Sequence, residues 1–356
     1  MHRNSQKGIE TNMSTLKYVI KRILLMLLTA FIILSMCFVL IKLLPFTIEA
    51  KNADEYKYWE EYWTARGYII GKQPSMNLIM DQYVEYIKDI VTKWDWGVCY
   101  RVDTANTPVT QTLFSRIAPT VILNVYSLLF SVPVGILLGI YAALKKNKWQ
   151  DDVISTGVMI FVSVPSYVYA FLLQLIFYAK LKWLNTPTVL SFREVAEKLG
   201  VEVGSMSELS MWFSWPMFVS MILPILSLSF GVIAGLARYT RAELTEVLTS
   251  DFMLLARAKG LTKRQATWRH AMPNAMVPIL PMIIGEFASV LSGSFIIESI
   301  FRVPGVGALY INSINQYDYN LFLFLSMFYT VIGLGAGIII DLSYGFIDPR
   351  IRMGEK

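Results

Sequence analysis

Charge is scarce in this chain, and so are the residues on which most enzymes and metal proteins depend. Only 16% of its 356 residues are Asp, Glu, Lys or Arg, against roughly 25% in soluble domains. There are two cysteines and two histidines. Cys37 falls in an apolar run and Cys99 in a polar segment, which suggests no disulfide framework. With only His2 and His270, no metal cluster is available. Neither G-x-S-x-G nor G-x-x-x-x-G-K-[ST] occurs, so the familiar nucleophile elbow and phosphate loop are absent. No catalytic residue, metal or cofactor is expected in the chain itself.

What it has instead is apolar length. No charge occurs from Ile23 to Ile41, Ile117 to Leu144, Val153 to Ala179, Leu209 to Ala237 or Leu321 to Ile340. A sixth stretch, Ala275 to Ile297, is interrupted only by Glu286. About 20 apolar residues in a helix cross the hydrocarbon core, so the sequence predicts an all-α polytopic membrane protein with six transmembrane helices. With the N-terminus inside, segments 1–22, 144–152, 238–270 and 346–356 hold 18 Lys and Arg, and the outer segments hold 13. Eight of the outer ones lie in the 72-residue segment 45–116, and loops beyond about 60 residues count for little in orientation. Both termini are expected in the cytoplasm, with a large extracellular loop between spans 1 and 2. A cleaved signal peptide is disfavoured, since the first run is longer than an h-region of roughly 7–15 residues and lacks a small-residue cleavage site. Residues 1–12 read as a loose polar tail, with Met13 an alternative start.

Lipid gives helices no hydrophobic reason to associate, so close packing needs small residues at helical spacing. Ser131, Gly135 and Gly139 provide such a stripe, as do Gly285, Ser289 and Gly293, and Gly333 with Gly337. Pro133, Pro165 and Pro224 are candidate hinges. Glu286 is an acid within a span. It reads as a buried hydrogen-bonding group, with an ion-coupled carrier as the alternative.

Between the fourth and fifth spans stands "ARAKGLTKRQATWRHAMPNAMVP", from Ala256 to Pro278. Leu244, Val247, Leu248, Phe252 and Leu255 recur at helical spacing. Ser250 or Asp251 can cap a fresh short helix, Gly260 suits a left-handed helix end, and Thr262 to Gln265 forms a T-x-x-Q capping box. The reading is short helix, glycine turn and second helix, running straight into the fifth span. Ala256, Ala258 and Gly260 leave a bulk-free surface suited to a protein groove. Three plainer readings compete: a solvated basic face, a DNA-binding helix-turn-helix and a lipid-surface helix. Nucleic acid is disfavoured because spans on both sides hold the segment at the membrane.

At "ARAKGL" and "HAMPNAMVP" the chain resembles the membrane permeases of binding-protein-dependent ABC importers, in their oligopeptide/dipeptide branch. "YVIKRILLMLL", "WDWGVCYR", "RIAPTVILN", "SVPSY", "VPGVG", "DYN" and "DPRIR" are similar to that branch in the same order, from about Tyr18 to Arg352. Departures are Leu254-Leu255-Ala256 where the wider family writes E-A-A, Cys99 in place of a serine, and no G-D-P after "LLP". The resemblance implies a permease subunit with no enzymatic activity, in the cell membrane of a prokaryote. Its partners would be a sister permease, two cytoplasmic ATPase subunits that bind the ATP, and an extracellular solute-binding lipoprotein delivering peptides. It also implies that Asp251, Leu255, Ala256, Arg257, Ala258, Lys259, Gly260 and Leu261 form a coupling helix seated on an ATPase.

The expected organisation is a cytoplasmic tail (1–16), a first span (17–44), an extracellular segment (45–116), a five-span core (117–345) containing the coupling loop 238–270, and a cytoplasmic tail (346–356). The aromatic stretch "EYKYWEEYWTARGY" (Glu55 to Tyr68) reads as part of a lid with its own helices, or as a docking platform for the binding protein. Nickel chelates or other small solutes are alternative cargo. A membrane-anchored adaptor without transport activity is a further alternative.

Overall fold

Large apolar side chains stand exposed along the long helices, among them Leu24, Phe31, Leu129, Leu137 and Met159. In water this would be an aggregation surface; against lipid tails it is the favourable arrangement. The computed structural model describes residues 2–43, 52–65, 76–102, 106–184 and 186–347. Among these the regular structure is helical, apart from an isolated antiparallel bridge between Val98 and Pro108. The tail sequence "DPRIR" and the stretch after Leu43 lie outside the described residues.

The first helix, α1 (His2–Lys42), is continuous. The expected loose tail is therefore helical from His2, and the apolar span begins within the helix at Lys17. The outer segment carries α2 (Ala53–Ala65) and α3 (Met76–Lys93), followed by the long α4 (Val109–Leu144). Next come α5 (Trp149–Ser163) and α6 (Ser166–Leu173), the latter extended by a π-helical segment, Gln174–Lys180.

These two helices meet at a 102° bend, so the run from Val153 to Ala179 is broken at the candidate hinge Pro165. The cause is Pro165, which lacks an N–H and drives the preceding residue out of the helical region. Val164 is extended, with φ −95° and ψ 128°. The Tyr169 hydroxyl donates to the carbonyls of Ile160 and Phe161, both at 3.1 Å, which satisfies backbone near the break. Pro133 and Pro224 lie inside unbroken helices.

Two short helices follow, α7 (Phe192–Leu199) and α8 (Glu208–Trp212). They lead into α9 (Trp215–Leu248), which continues well past the expected end of its span near Ala237. Beyond it lie α10 (Asp251–Ala258), α11 (Lys263–Ala266), a π-helical turn over Thr267–Ala271, α12 (Met272–Met276) and α13 (Ile279–Ala288). The run from Lys263 to Met276 meets the next at a 51° bend, so it does not enter the fifth span straight. The chain closes with α14 (Phe295–Ile300), α15 (Val306–Asn315) and α16 (Tyr319–Ile347). By length and composition four helices can cross a membrane, or up to six if each bent pair is one span.

Met1–Thr15, Arg116–Leu309 and Gly335–Lys356 form one compact unit, and Leu16–Ser115 with Tyr310–Leu334 a second. Residues 310–334, expected in the permease core, thus group with the first span and the outer segment. In the first unit, a Cβ on Gly135 would lie 2.9 Å from Leu236 Cβ, and one on Gly139 would lie 2.7 Å from the Ala237 carbonyl oxygen. The small-residue stripe of α4 therefore lets its backbone approach α9. Gly285 is similarly crowded by Ile340 at 2.9 Å, whereas Gly333 and Gly337 have nothing within 4 Å. Val195 and Ala196 of α7 and Met211 and Trp212 of α8 are buried in a core with Leu123, Met217, Met221, Ile297 and Phe301.

The second unit is held by aromatics and one acid. Trp59 and Trp63 are buried with Tyr100, the Trp59 and Tyr100 rings meeting edge-on at 4.5 Å. Two of the aromatic residues expected to offer a docking surface are thus internal, while Tyr56 and Tyr58 remain exposed. Asp318 Oδ2 accepts hydrogen bonds from the N–H groups of Tyr100, Arg101 and Val102 at 2.7, 2.9 and 3.1 Å.

Candidate functional site

The geometry of the short helix follows from its ends. Ser250 is the extended N-cap residue of α10, but its hydroxyl donates to the Val247 carbonyl at 2.6 Å rather than capping the helix. Gly260 has φ +89° and receives the turn. Its N–H reaches the Arg257 carbonyl at 3.0 Å, and the Leu261 N–H reaches that of Ala256 at 3.4 Å. A Cβ at Gly260 would meet nothing within 4 Å, so glycine is needed here for backbone conformation and not for space. The capping box is present as read: Thr262 Oγ1 accepts from the Gln265 N–H at 3.3 Å, and Gln265 Oε1 accepts from the Thr262 N–H at 3.0 Å.

The break at Thr249 and Ser250 turns α10 out of register with α9. Met253 and Ala256 are its buried residues, at 4% and 7% exposure, while Phe252, Leu254 and Leu255 stand out at 43%, 63% and 57%. The apolar face expected to run from Leu244 through Phe252 and Leu255 is therefore split between two helices. Leu244 packs inward, and Phe252 and Leu255 point away. Ala256 belongs to the anchored side, in a core with Ile140, Ala143, Leu244, Met253, Ala266, Ala271 and Ala275. It cannot form part of a bulk-free outer surface. Asp251, Leu255, Arg257, Ala258, Lys259 and Gly260 are exposed, and Leu261 is half-buried. Beside them a cavity of about 220 Å³ is lined by Leu248, Met253, Leu254, Arg257, Lys263 and Thr267, among others. The surface is thus a ridge of three large apolar side chains, with Arg257 on the same short helix and Lys259 just past its end. Phe252 and Leu254 were not singled out as contact residues, although a large apolar pair beside a helix break was a readable signal.

An ion pair fixes the helix that leads into this ridge. Arg241 of α9 donates through Nε and Nη2 to the two carboxylate oxygens of Asp151 on α5, at 2.5 and 2.8 Å. Asp151 also accepts from the Asn147 N–H at 3.0 Å and the Ser155 hydroxyl at 3.3 Å. The two residues are 90 apart in sequence, and neither carries a local signal of the other.

A second polar centre lies at Glu298, which is fully buried. Thr120 Oγ1 donates to it at 3.0 Å, and the Gly307 and Ala308 N–H groups donate to its Oε2 at 2.8 and 3.1 Å. Thr120 Oγ1 in turn accepts from the Val306 N–H at 2.9 Å. A Cβ on Gly305 would strike both Glu298 and Thr120, which explains the glycines of "VPGVG". Glu286, expected to hydrogen-bond a neighbouring helix, has no hydrogen-bond or ion-pair partner for its carboxylate among the described residues, and Ser289 Oγ donates only to its backbone carbonyl at 2.9 Å.

Comparison with known proteins places this arrangement of apolar helices in a family. The family described as binding-protein-dependent transport system inner membrane component matches residues 135–353. The chain is 31% identical over 344 residues to the dipeptide transport system permease protein DppB of Bacillus subtilis (strain 168), covering 96% of this chain and 99% of that protein. It is 30% identical to the oligopeptide transport system permease protein OppB of Haemophilus influenzae, over 95% of this chain and 99% of that one. The same identity and coverage hold for the glutathione transport system permease protein GsiC of Escherichia coli (strain K12). With the family matched over more than half its length and relatives matched from end to end, the chain belongs to the binding-protein-dependent transport system inner membrane components.

Proposed function

We propose that this protein is the permease subunit of an ATP-driven importer of peptides, working with a sister permease, two cytoplasmic ATPase subunits and an extracellular solute-binding protein. The peptide substrate is supported by end-to-end similarity to permeases named for dipeptide, oligopeptide and glutathione transport. In this reading each bent helix pair is one span, giving six, and both termini lie in the cytoplasm, as the distribution of Lys and Arg favours. The cytoplasmic ends of α9 and α11 then present α10 to an ATPase.

The observation that carries the coupling role is the ridge of Phe252, Leu254 and Leu255, exposed on a short helix outside the spans. The chain's own core does not cover those residues, and apolar anchors of this size are what a protein groove takes. Asp251, Arg257, Ala258, Lys259, Gly260 and Leu261 frame the contact, while Ala256 anchors the helix from behind. Closure of the ATPase pair displaces α10, and the bundle responds by a two-state change between inward-open and outward-open forms. The test is uptake of a labelled dipeptide and pentapeptide by proteoliposomes containing all four kinds of subunit. Accumulation should require ATP on the ATPase side. Accumulation of a nickel chelate with none of either peptide would overturn the peptide reading.

A further inference from the structure

In the first unit, a partly open cavity of about 170 Å³ lies beside the middle of α4 and α9 and the C-terminal end of α13. Asn124, Ser127 and Leu128 of α4, Leu228 and Val232 of α9, and Glu286 and Ser289 from the α13 region all line it. Its polar groups are unevenly satisfied. Asn124 Nδ2 donates to the Thr120 carbonyl at 2.8 Å, Ser127 and Ser229 share a hydrogen bond at 3.0 Å, and Ser289 is bonded to the Glu286 carbonyl. The Glu286 carboxylate has no such partner among the described residues, and Asn124 Oδ1 has none either.

An acid at membrane depth is costly unless it meets a cation, a donor or water. Here two acceptors line one cavity whose lining, among the described residues of this chain, holds no Lys, Arg or His. We propose that Glu286 and Asn124 form a subsite on the translocation path that receives the α-ammonium group of a passing peptide. This rests on the peptide reading above. A primary ammonium brings three donors and one positive charge, which matches a carboxylate and an amide oxygen. The rest of the lining is uncharged, apolar at Leu128, Leu228, Val232 and Val290 and otherwise serine or glycine, so the subsite reads the one charged group that all free peptides share at this end.

The test compares a tripeptide with its N-acetylated form, in proteoliposomes holding the full complex and matched amounts of permease. Because the binding protein can discriminate on its own account, the quantity read is the ratio of wild-type to variant initial rates for each peptide. Glu286→Gln should slow the free-amine tripeptide by about tenfold, the scale of one hydrogen bond to a charged group, and leave the acetylated form nearly unchanged. The double variant Glu286→Gln with Asn124→Asp returns a carboxylate to the same cavity and should restore most of the free-amine rate. Equal slowing of both peptides by Glu286→Gln, or no slowing of either, would overturn the subsite while leaving peptide import standing. Collapse of wild-type uptake with a proton ionophore at constant ATP would also overturn it, by assigning Glu286 to a proton. If the wild type imports neither peptide, the peptide reading itself fails and the subsite with it.

Discussion

Arg241 holds Asp151 in a two-pronged grip across α5 and α9, with the acid almost wholly out of solvent at 2% exposure and the guanidinium one-third exposed. Planar guanidinium and carboxylate meet in the geometry that makes such pairs strong. Asp151→Ala should therefore destabilise the bundle by about 2 kcal/mol, below the roughly 3–5 kcal/mol of a fully buried pair because Arg241 remains partly hydrated. Arg241→Lys should recover only part of the loss, since an ammonium cannot make both contacts in a plane. Thermal unfolding of the purified permease complex, read by loss of monodispersity on heating, measures both.

At Gly260 the prediction concerns backbone alone. With open space around it, Gly260→Val meets no clash, only the cost of placing a β-branched residue at φ +89°, about 1 kcal/mol or more. Relief of that strain tilts α10 and moves the Phe252, Leu254 and Leu255 ridge. We expect normal membrane insertion with lowered uptake and lowered stimulation of ATP hydrolysis. Normal uptake by normally inserted protein would count heavily against the coupling role of α10.

Gly305→Ala is the opposite case, a substitution governed by space. The added methyl would press on the Glu298 carboxylate and the Thr120 hydroxyl, an overpacking penalty of about 1–3 kcal/mol. It should lower the midpoint of thermal unfolding. Gly305→Ala combined with Glu298→Gln should not rescue it, because the glutamine side chain occupies the same space.

Asp318 gives a pH dependence whose sign is fixed by its surroundings. Burial pushes its carboxyl above the usual carboxylate range, and the N–H donors of Arg101, Val102, Tyr100 and Leu321 pull it back only in part. A raised folded-state value means the folded form favours the neutral acid, so this group's contribution is full below the ordinary carboxylate range and declines as pH rises through the raised value. Asp318→Asn removes that titration. The stability of the variant, followed from mildly acidic to neutral pH, should fall less steeply than that of the wild type. Asp318→Ala should cost more at every pH, since it strands backbone donors at about 1–3 kcal/mol each.

The sides of the membrane can be read with single cysteines in a background lacking Cys37 and Cys99. Glu60 and Lys259 are both exposed, so accessibility will not confuse the result. Glu60→Cys should react with a membrane-impermeant maleimide in intact cells, and Lys259→Cys only after the membrane is opened. Added ATPase subunits should then protect position 259. Labelling at 259 from outside would sink both the proposed topology and the coupling contact.

The sequence carried local features faithfully. The glycine turn at Gly260 and the box from Thr262 to Gln265 were legible because each depends on residues within one helical turn. The capping box of Ser191 and Glu194 and the left-handed Gly200 had the same kind of signal and went unread. The break at Pro165 was only half legible, because three prolines stood within apolar runs and nothing local distinguished the one that interrupts its helix. Pro133 and Pro224 show the other outcome. Pairings between distant segments, Asp151 with Arg241 and Thr120 with Glu298, had no signal in a single sequence. The direction in which Ala256 faces was misread for a simpler reason: the helix restarts at Ser250, and a restart resets the phase of every residue after it.

The core behind α10 is built largely from alanine: Ala143, Ala256, Ala266, Ala271 and Ala275. An alanine side chain has no rotamers to exchange, and a close-packed interior compresses little. A joint made this way is stiff where it is packed, its slack confined to the cavity bordered by Ala143, Met253 and Ala266. Under the coupling role proposed for α10, a push on it would meet few side-chain rearrangements before reaching Ala275, next to the bend that opens onto α13. Replacing these alanines with leucines would make the joint bulkier, and replacing them with methionines would make it softer. In that proposed mechanism the small residues would be the stiff part of a lever.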